Sequence, residues 1–559
     1  MNFHTTKSRG RWLTALLAAL ALSGASCGGE SVVGTTTQIQ EGTLIRLPDG
    51  MVQGEIAGGT RRFLGIPFAA PPVGELRWRP PAPPVPWQGV LEATHFGGRC
   101  AQPATTLSSA SEEEDCLYLN VWAPNPAPAT PRPVMVWFHG GGNYSGSASD
   151  ELPLGIEGLS FDGRVLTETR NVIVVTVNYR LGVFGYFTHD SLTAEDPANT
   201  GNQGLLDQRA ALDWVRRNST AFGGDPGNVT IFGESAGGYD ACLHLVSPGS
   251  RGLFNCAIAE SAGAPTGHGT RTAPGPATQV IGACTNRLQT AVEAEAKAEG
   301  LITAIGCTGS DDVLACLRRA SVADLLRTAG KDFAVSVDGN VLPDQPRTLL
   351  DAGDFAKVPY ILGTNADEGT LFFLGLPPVT TEDEYMAGLR ELYGDLADEV
   401  AILYPTAAFA SPQDALARAF GDSAVVCPTY DNARRAAAGG ADVYLYNFAR
   451  VPPLPVLEPL KLGATHTIEI PYVFGSPAML PTAIDEALSK AMQGYWTRLA
   501  LTGDPNGEGA VSWPLYADAS DKRLNLNADI TVVSGFRRPE CEFWWNVYDA
   551  EFEEAPVVR

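Results

Sequence analysis

Residues 229–238 (V-T-I-F-G-E-S-A-G-G) constrain the fold more than any other segment of the chain. The first four are β-branched or aromatic and indicate a buried strand. The next five fit G-x-S-x-G, a turn that presents a serine hydroxyl at the top of a sheet. Such a turn crowds the backbone on both sides of a strained residue, so glycine is needed there. Ser235 is therefore a candidate nucleophile, and a helix should follow it.

Apolar strands alternate with helical spacing around this turn. The predicted strands are 133–138, 171–178, 255–261 and 358–364, and helical spacing covers 204–218 and 380–438. Alternation of this kind predicts a mostly parallel sheet with right-handed crossovers. The motifs near residues 139, 235, 368 and 466, which are described below, must meet at one site, and this predicts a single α/β domain over 42–559.

Two further segments carry predictions of their own. Residues 263–300 lack a strong pattern and are predicted to be an insertion over the site. Residues 485–502 are predicted to be the final helix.

The predicted strand 133–138 runs directly into His139-Gly140-Gly141-Gly142. Three glycines after an apolar strand leave bare backbone at a sheet edge, and its N–H groups can point at an anion. A plain turn is the simpler alternative. A dinucleotide-binding loop is excluded because Ser145 stands where G-x-G-x-x-G needs glycine and no helix-forming sequence follows.

A serine nucleophile needs a base, and histidine has a suitable pKa near neutrality. The chain has seven histidines, and the order serine, acid, histidine leaves His244, His268 and His466. His244 lies on the helix that leaves the turn and should point away from Ser235. His268 precedes every acid at a late strand end. His466 is therefore the predicted base.

The acid that orients the imidazole should follow the predicted strand 358–364. Both Asp367 and Glu368 stand there. The chemistry of the residues does not choose between them, and either could be a solvated loop carboxylate.

Ten cysteines in an exported chain suggest disulfides. Cys100 and Cys116 flank a short polar loop, Cys307 and Cys316 enclose a shorter one, and Cys427 with Cys541 could form a long-range pair. Cys242 and Cys256 lie in apolar segments and are predicted to be buried free thiols. Cys284 has no evident mate.

Two long segments resemble the signature patterns of type-B carboxylesterases, the family of cholinesterases, fungal lipases and bacterial nitrobenzyl-type esterases. They are F-G-G-D-P-G-N-V-T-I-F-G-E-S-A-G (222–237) and E-D-C-L-Y-L-N-V-W-A-P (114–124). N-Y-R-L-G-V-F-G, N-A-D-E-G-T and H-T-I-E-I-P-Y-V-F-G are also similar to this family, and the resemblance spans about 42–548. It implies an α/β-hydrolase fold: a mostly parallel central sheet flanked by helices, with large insertions around the active site. It also implies a serine carboxylesterase that acts on small-molecule esters without metal or cofactor.

The resemblance assigns roles to particular residues. The acid would be Glu368, the base His466, and the oxyanion donors the N–H groups of Gly141, Gly142 and Ala236. Glu234, Ser261 and Glu469 match a supporting polar network. The family's disulfides correspond to Cys100/Cys116, Cys307/Cys316 and Cys427/Cys541.

Two departures bear on the substrate. The loop 101–115 has no aromatic residue, whereas choline-directed members of the family carry a tryptophan there. They also carry an aromatic residue where this chain has Leu371, followed by Phe372. A site that holds a cation on aromatic faces is therefore disfavoured, and Leu371 with Phe372 is predicted to line an apolar acyl or alcohol pocket. A triglyceride lipase is one alternative. A non-catalytic adhesion domain of the same family is another, although such domains usually lose a triad residue.

The first residues indicate export. Lys7, Arg9 and Arg11 precede an apolar run at 12–22, which predicts a signal peptide over 1–26. The segment before Cys27 resembles a bacterial lipoprotein signal, so lipid anchoring at Cys27 and simple secretion both stay open, and 27–41 is predicted to be a flexible tether. The protein would be periplasmic, an outer-membrane lipoprotein or extracellular. A net charge of −24 argues against nucleic acid as a partner.

Overall fold

A computed structural model describes residues 42–105, 108–149, 161–265 and 281–554. The predicted signal peptide (1–26), the tether (27–41) and Cys27 lie outside the described residues, and so do His268 and part of the predicted insertion. The predicted boundaries of the single domain therefore stay predictions.

Strands and helices alternate through most of the described residues. The strands are β1 (Leu44–Leu47), β2 (Gly50–Gln53), β3 (Glu55–Ala57), β4 (Thr60–Pro67), β5 (Val90–Glu92), β6 (Tyr118–Pro124), β7 (Arg132–Phe138), β8 (Ile173–Val177), β9 (Gly224–Glu234), β10 (Cys256–Glu260), β11 (Ala264–Pro265), β12 (Ile281–Gly282), β13 (Gln289–Thr290), β14 (Ser336–Val337), β15 (Tyr360–Asn365), β16 (Val443–Phe448), β17 (Lys522–Leu526) and β18 (Thr531–Ser534). The helices are α1 (Arg164–Arg170), α2 (Gly182–Tyr186), α3 (Asp190–Glu195), α4 (Gln203–Phe222), α5 (Ala236–Val246), α6 (Ala291–Ile305), α7 (Val313–Arg318), α8 (Val322–Ala329), α9 (Pro346–Asp351), α10 (Glu382–Tyr393), α11 (Ala397–Leu403), α12 (Pro412–Gly421), α13 (Cys427–Ala438), α14 (Ile470–Phe474), α15 (Ala483–Thr502) and α16 (Arg538–Glu554).

An 11-stranded sheet of order β18-β17-β16-β15-β10-β9-β7-β8-β6-β4-β3 runs through the molecule. The pairs from β17 to β8 are parallel, and the remaining pairs at both edges are antiparallel. This is the mostly parallel sheet of an α/β-hydrolase, as predicted. Because β7, β9 and β15 point the same way, the segments that follow them emerge at one edge of the sheet.

Both faces of the sheet are buried, and successive side chains of a strand point to opposite faces. In β7, Val136 and Phe138 pack into one hydrophobic cluster, whereas Met135 and Trp137 pack into the other. The first cluster includes residues of α4 and α5, and the second includes residues of α14 and α15. Helices therefore cover both faces of the sheet and hold its central strands rigidly.

One helix lies where the sequence showed no strong pattern, and the prediction of the final helix was wrong. Within the patternless segment 263–300, Thr290 and Glu293 form a capping box that begins α6, and the alanine- and glutamate-rich sequence that follows has high helix propensity. The helix at 485–502 is not the last one, because α16 follows it. Trp544, Trp545 and Tyr548 of α16 are buried, so this helix is held by apolar packing.

Four disulfides occur among the described residues. Three are the pairs Cys100–Cys116, Cys307–Cys316 and Cys427–Cys541. The fourth joins Cys242 to Cys284, so the prediction that Cys242 is a free thiol was wrong. Nothing in the spacing of these two residues indicates the pair, because the fold rather than the local sequence brings α5 beside the segment before β13. Cys256 is a buried free thiol.

Candidate active site

Ser235 occupies the turn between β9 and α5. Its φ of 55° and ψ of −121° are strained for a residue with a side chain, and its N–H donates to the Glu260 carbonyl at 2.9 Å. A Cβ on Gly237 would overlap the Phe138 carbonyl oxygen, and one on Gly233 would lie 2.5 Å from the Gly237 carbonyl carbon. Close backbone packing therefore requires both motif glycines.

The loop after β7 lies against this turn. A Cβ on Gly140 would be 3.1 Å from the Cβ of Ser235. Gly141 and Gly142 have φ values of 107° and 66°, which favour glycine. Within the described residues, the N–H groups of Gly141, Gly142 and Ala236 donate to no protein acceptor. These three N–H groups, the predicted oxyanion donors, are therefore not engaged in the backbone hydrogen bonding of the described residues.

Both ends of this glycine loop are fixed by side chains. The His139 ring stacks on Tyr179 at 4.4 Å, and the Tyr179 hydroxyl donates to the His139 carbonyl at 2.7 Å. Burial lowers the pKa of His139 to about 4, so this ring is neutral. At the other end, the Gln102 amide donates to the Gly146 carbonyl at 2.8 Å and accepts from its N–H at 2.7 Å. The disulfide loop 100–116 thereby supports the glycine loop.

Glu368, rather than Asp367, contacts the imidazole of His466. Nδ1 of His466 and Oε2 of Glu368 are 2.6 Å apart, and both side chains are buried. The other Glu368 oxygen accepts the Asn365 N–H at 2.6 Å. Asp367 instead pairs with Arg418 at 2.8 Å and accepts the Ala464 N–H at 2.9 Å. The two carboxylates that the sequence left open therefore have different surroundings.

The opposite nitrogen of His466 faces Glu234. Nε2 lies 3.2 Å from Oε1 of Glu234, while the Ser235 hydroxyl donates to the Gly263 carbonyl at 3.3 Å. Within the described residues, no hydrogen bond joins Ser235 to His466. His466 thus lies beside Glu234, the residue that precedes Ser235, and the serine hydroxyl is turned towards Gly263.

Buried carboxyl groups surround His466. Burial alone would lower the pKa of His466, but the negative charges of Glu234 and Glu368 outweigh it and raise the pKa to about 9. Burial, followed by the charge of Glu368, raises the pKa of Glu469 to about 7. Glu469 accepts from the Ser261 hydroxyl at 3.2 Å, and its other oxygen accepts from the Asn365 amide.

Phe372, predicted from the sequence to line a pocket, lies beside the imidazole of His466. Its ring centroid lies 5.2 Å from that of His466 and 5.1 Å from that of Phe420. Leu371 is buried in the same 3₁₀ helix, which spans Glu368–Phe373. An apolar ring thus covers one side of the base.

Sequence reasoning missed two residues of this site. Asn365 bridges Glu368 and Glu469, and its position in N-A-D-E-G at a strand end was the available signal. Glu260 is a buried carboxyl group in β10 that accepts from Trp496 at 2.8 Å. Nothing in the apolar strand around Glu260 indicated that it would lie beside the site.

His244 lies apart from Ser235, as predicted. It is buried on α5 and contacts Gln208 and Ser250. His244 follows Ser235 by nine positions, which places it on another side of the helix from the serine.

Comparison with known proteins decides the family. A sequence profile described as "Carboxylesterase family" matches residues 41–544. The chain belongs to the carboxylesterase family. It is 38% identical over 514 residues to the para-nitrobenzyl esterase of Bacillus subtilis (strain 168), a match that covers 88% of this chain and 96% of that protein. It is 33% identical over 561 residues to the acetylcholinesterase of Bungarus fasciatus, a match that covers 92% of this chain and 86% of that protein.

This carboxylesterase is a serine carboxylic ester hydrolase with an α/β-hydrolase fold, and its substrates are small-molecule esters. Its four disulfides are typical of exported proteins. In the described part of the chain, each helix is too short or too polar to cross a membrane.

Proposed function

We propose that this carboxylesterase hydrolyses apolar esters through Ser235, His466 and Glu368, with an acyl-enzyme intermediate. His466 takes the proton of Ser235, and the serine oxygen attacks the ester carbonyl carbon. The N–H groups of Gly141, Gly142 and Ala236 bind the oxyanion. His466 then returns the proton to the leaving alcohol. Water, deprotonated by the same imidazole, finally releases the carboxylic acid and restores Ser235.

The contact between Glu368 and His466 carries this proposal. Its 2.6 Å length and its burial suit a carboxylate that holds Nδ1–H in place. With the proton on Nδ1, Nε2 is the nitrogen that can accept from a serine hydroxyl. The carboxylate also stabilises the imidazolium that forms during each step.

One local movement completes the proposed triad. The proposal requires that the hydroxyl of Ser235 leaves the Gly263 carbonyl and donates to Nε2 of His466. Its present hydrogen bond of 3.3 Å is long, so little is lost when it breaks. Catalytic hydrogen bonds are often looser before substrate binds.

The proposed substrates are neutral apolar esters. Phe372 lies against the base, and the loop 101–115 supplies no aromatic ring for a cation. The relatives are named for para-nitrobenzyl ester and acetylcholine hydrolysis, and these features favour the first type. We expect kcat/KM for p-nitrophenyl butyrate to exceed that for butyrylthiocholine; a clear preference for the choline ester would contradict this assignment.

Replacement of the nucleophile and the base tests the triad. Ser235→Ala and His466→Ala should each lower kcat on p-nitrophenyl butyrate by about 10⁴-fold or more. His95→Ala, an exposed histidine outside the site, is the matched control and should retain activity. A phosphonate probe should label the wild-type protein at Ser235 but should not label Ser235→Ala. Retained turnover in Ser235→Ala would reject the proposed function.

Export through the predicted signal peptide is a separate proposal, supported by the four disulfides. Lipidation at Cys27 can be tested with an inhibitor of lipoprotein signal peptidase. Accumulation of the precursor would support the anchor, and unchanged processing would favour simple secretion.

A further inference from the structure

Behind the glycine loop lies a buried carboxylate that the proposed chemistry does not use. Asp240 is on α5, five residues after Ser235, and its side chain is fully buried. Oδ1 accepts from the Asn143 amide at 2.8 Å, and Oδ2 accepts from the Gln208 amide at 2.6 Å. Asn143 directly follows Gly142 and is left-handed, with φ of 58°. Asp240 thus joins the glycine loop to α5 and α4.

Further hydrogen bonds fix the direction of this network. Because the Gln208 nitrogen donates to Asp240, its oxygen faces Nε2 of His244 at 2.9 Å. Burial lowers the pKa of His244 to about 3, so the ring is neutral and its Nε2–H donates to Gln208. Nδ1 then accepts from the Ser250 hydroxyl at 2.8 Å. The chain of donors therefore ends at Asp240, which in its ionised form accepts through both oxygens.

No cation pairs with Asp240 among the described residues. The nearby buried Arg180 pairs with Asp207 instead, at 2.7 Å. A buried carboxylate without a cation is costly unless its oxygens are hydrogen-bonded. Removing the side chain of Asn143 or Gln208 would leave one of those oxygens without a hydrogen bond. Breaking the contact between Asp240 and the loop is therefore unfavourable.

The contact between Asn143 and Asp240 lies next to the proposed oxyanion donors in the sequence. Gly141 and Gly142 immediately precede Asn143, and the Asn143 carbonyl accepts the Gly182 N–H at 2.7 Å. The third donor, Ala236, is the first residue of α5, the helix that carries Asp240. The Asn143–Asp240 contact therefore joins directly the two segments that supply the donors.

We propose that Asp240 is a positioning residue, which through Asn143 holds the glycine loop at the spacing that the oxyanion requires. The inference rests on the proposed function, because it assumes that Gly141, Gly142 and Ala236 bind the oxyanion. Oxyanion donors act on the transition state more than on the bound ester. Loss of the contact should therefore lower kcat and leave KM nearly unchanged.

A double-mutant cycle over Asn143 and Asp240 tests the proposal. Asn143→Gly removes the side chain without strain at positive φ, and Asp240→Ala removes its acceptor. Each should lower kcat on p-nitrophenyl butyrate by about 10-fold and change KM by less than about 2-fold. Complete loss of one oxyanion donor lowers kcat by about 10²–10³-fold, and a displaced donor should lose only part of that effect. The double variant should be no worse than either single variant by more than about 2-fold.

Affinity for a transition-state analogue separates positioning from general destabilisation. A trifluoromethyl ketone should bind Asn143→Gly and Asp240→Ala about 10-fold more weakly, in parallel with kcat. In Asp240→Asn the amide oxygen can still accept from Asn143 while its NH2 group donates to a reversed Gln208 amide, and neutral His244 can take the other tautomer. This variant should therefore recover activity to within about 3-fold of wild type. Asp485→Ala removes another buried carboxylate, bonded to Arg450 and Tyr472. It should lower Tm without selective loss of analogue affinity.

Three results would overturn the inference: wild-type kcat in folded Asn143→Gly, additive losses in the double variant, or unchanged analogue affinity. Should Asp240→Ala fail to fold, Asn143→Gly and Asp240→Asn decide the question. An inactive Ser235→Ala together with a fully active Asn143→Gly would reject this inference alone. An active Ser235→Ala would reject the proposed function on which it rests.

Discussion

At the scale of single residues, Asp367 and Glu368 show how adjacent carboxylates acquire different roles. Glu368 is buried and hydrogen-bonded to His466, whereas Asp367 is partly exposed and paired with Arg418. An amide at position 368 can no longer stabilise the imidazolium. Glu368→Gln should therefore lower kcat by about 10³-fold or more.

Asp367→Asn is the matched control for that substitution and should change kcat by less than about 5-fold, since exposed ion pairs contribute little. Both variants would be measured with p-nitrophenyl butyrate. A larger loss in Asp367→Asn than in Glu368→Gln would show that the acid is Asp367.

A second prediction concerns Glu234 and the dependence of activity on pH. A carboxyl oxygen of Glu234 lies 3.2 Å from Nε2 of His466. Burial raises the pKa of Glu234 well above its usual value, and once Glu234 is ionised its charge helps to raise the pKa of His466 to about 9. The base must be neutral to act, so activity rises with pH through this pKa. Glu234→Gln should move the acid limb of kcat/KM to lower pH by about 1 unit.

Glu75→Gln, which neutralises a largely exposed carboxylate, is the control for the pH profile. Its acid limb should coincide with that of wild type. An acid limb that stays in place or moves to higher pH in Glu234→Gln would contradict the assigned effect of Glu234.

At the scale of elements, the Cys242–Cys284 disulfide ties α5 to the segment before α6 across 42 residues. A cross-link stabilises mainly by restricting the unfolded chain. The double variant Cys242→Ala with Cys284→Ala should lower the free energy of unfolding by about 2–4 kcal/mol, measured by urea denaturation. Cys256→Ala, which removes a buried thiol but no cross-link, should lose less. Equal losses would show that the bond adds no stability.

The parts of the fold and the site that could be predicted from the sequence are encoded within short continuous segments. The Ser235 turn, the glycine loop and the strand before Glu368 each combine an apolar strand with the residues that follow it. The Asn143–Asp240 contact was not predictable, because its partners are 97 residues apart and each has an ordinary solvated role in isolation. The Cys242–Cys284 pair and the packing of α16 likewise depend on which helices the sheet brings together.

At the scale of the whole molecule, buried ionisable groups make stability depend on pH. Burial raises the pKa of Asp240, Asp422 and Glu469 to about 7. Each of these groups binds a proton more readily in the folded state, so its contribution to stability falls as pH rises towards 7. The stabilisation of protonated His466 is lost in turn as pH rises through about 9.

Two other histidines act in the opposite direction at lower pH. Burial lowers the pKa of His139 to about 4 and that of His244 to about 3. The unfolded chain protonates these rings below about pH 6.5, so their contribution is lost as pH falls. Between about pH 4.5 and about pH 6.5 the three carboxyl groups outweigh the two histidines, and above about pH 6.5 His466 adds to the loss, so the cited groups together place the maximum of stability near about pH 4.5.

Calorimetry checks this expectation directly. Tm should fall by about 1–3 °C between about pH 6.5 and about pH 8.5. Asp422 is the best single probe, because it is buried, accepts from Tyr404 at 3.1 Å, and its nearest cation, Arg537, lies 3.8 Å away. Asp422→Asn cannot ionise, so its Tm should vary less over this range than that of wild type. Exposed Glu75→Gln should follow the wild-type curve, and a wild-type Tm that rises towards pH 8.5 would show that the buried carboxyl groups and His466 do not set the alkaline limit.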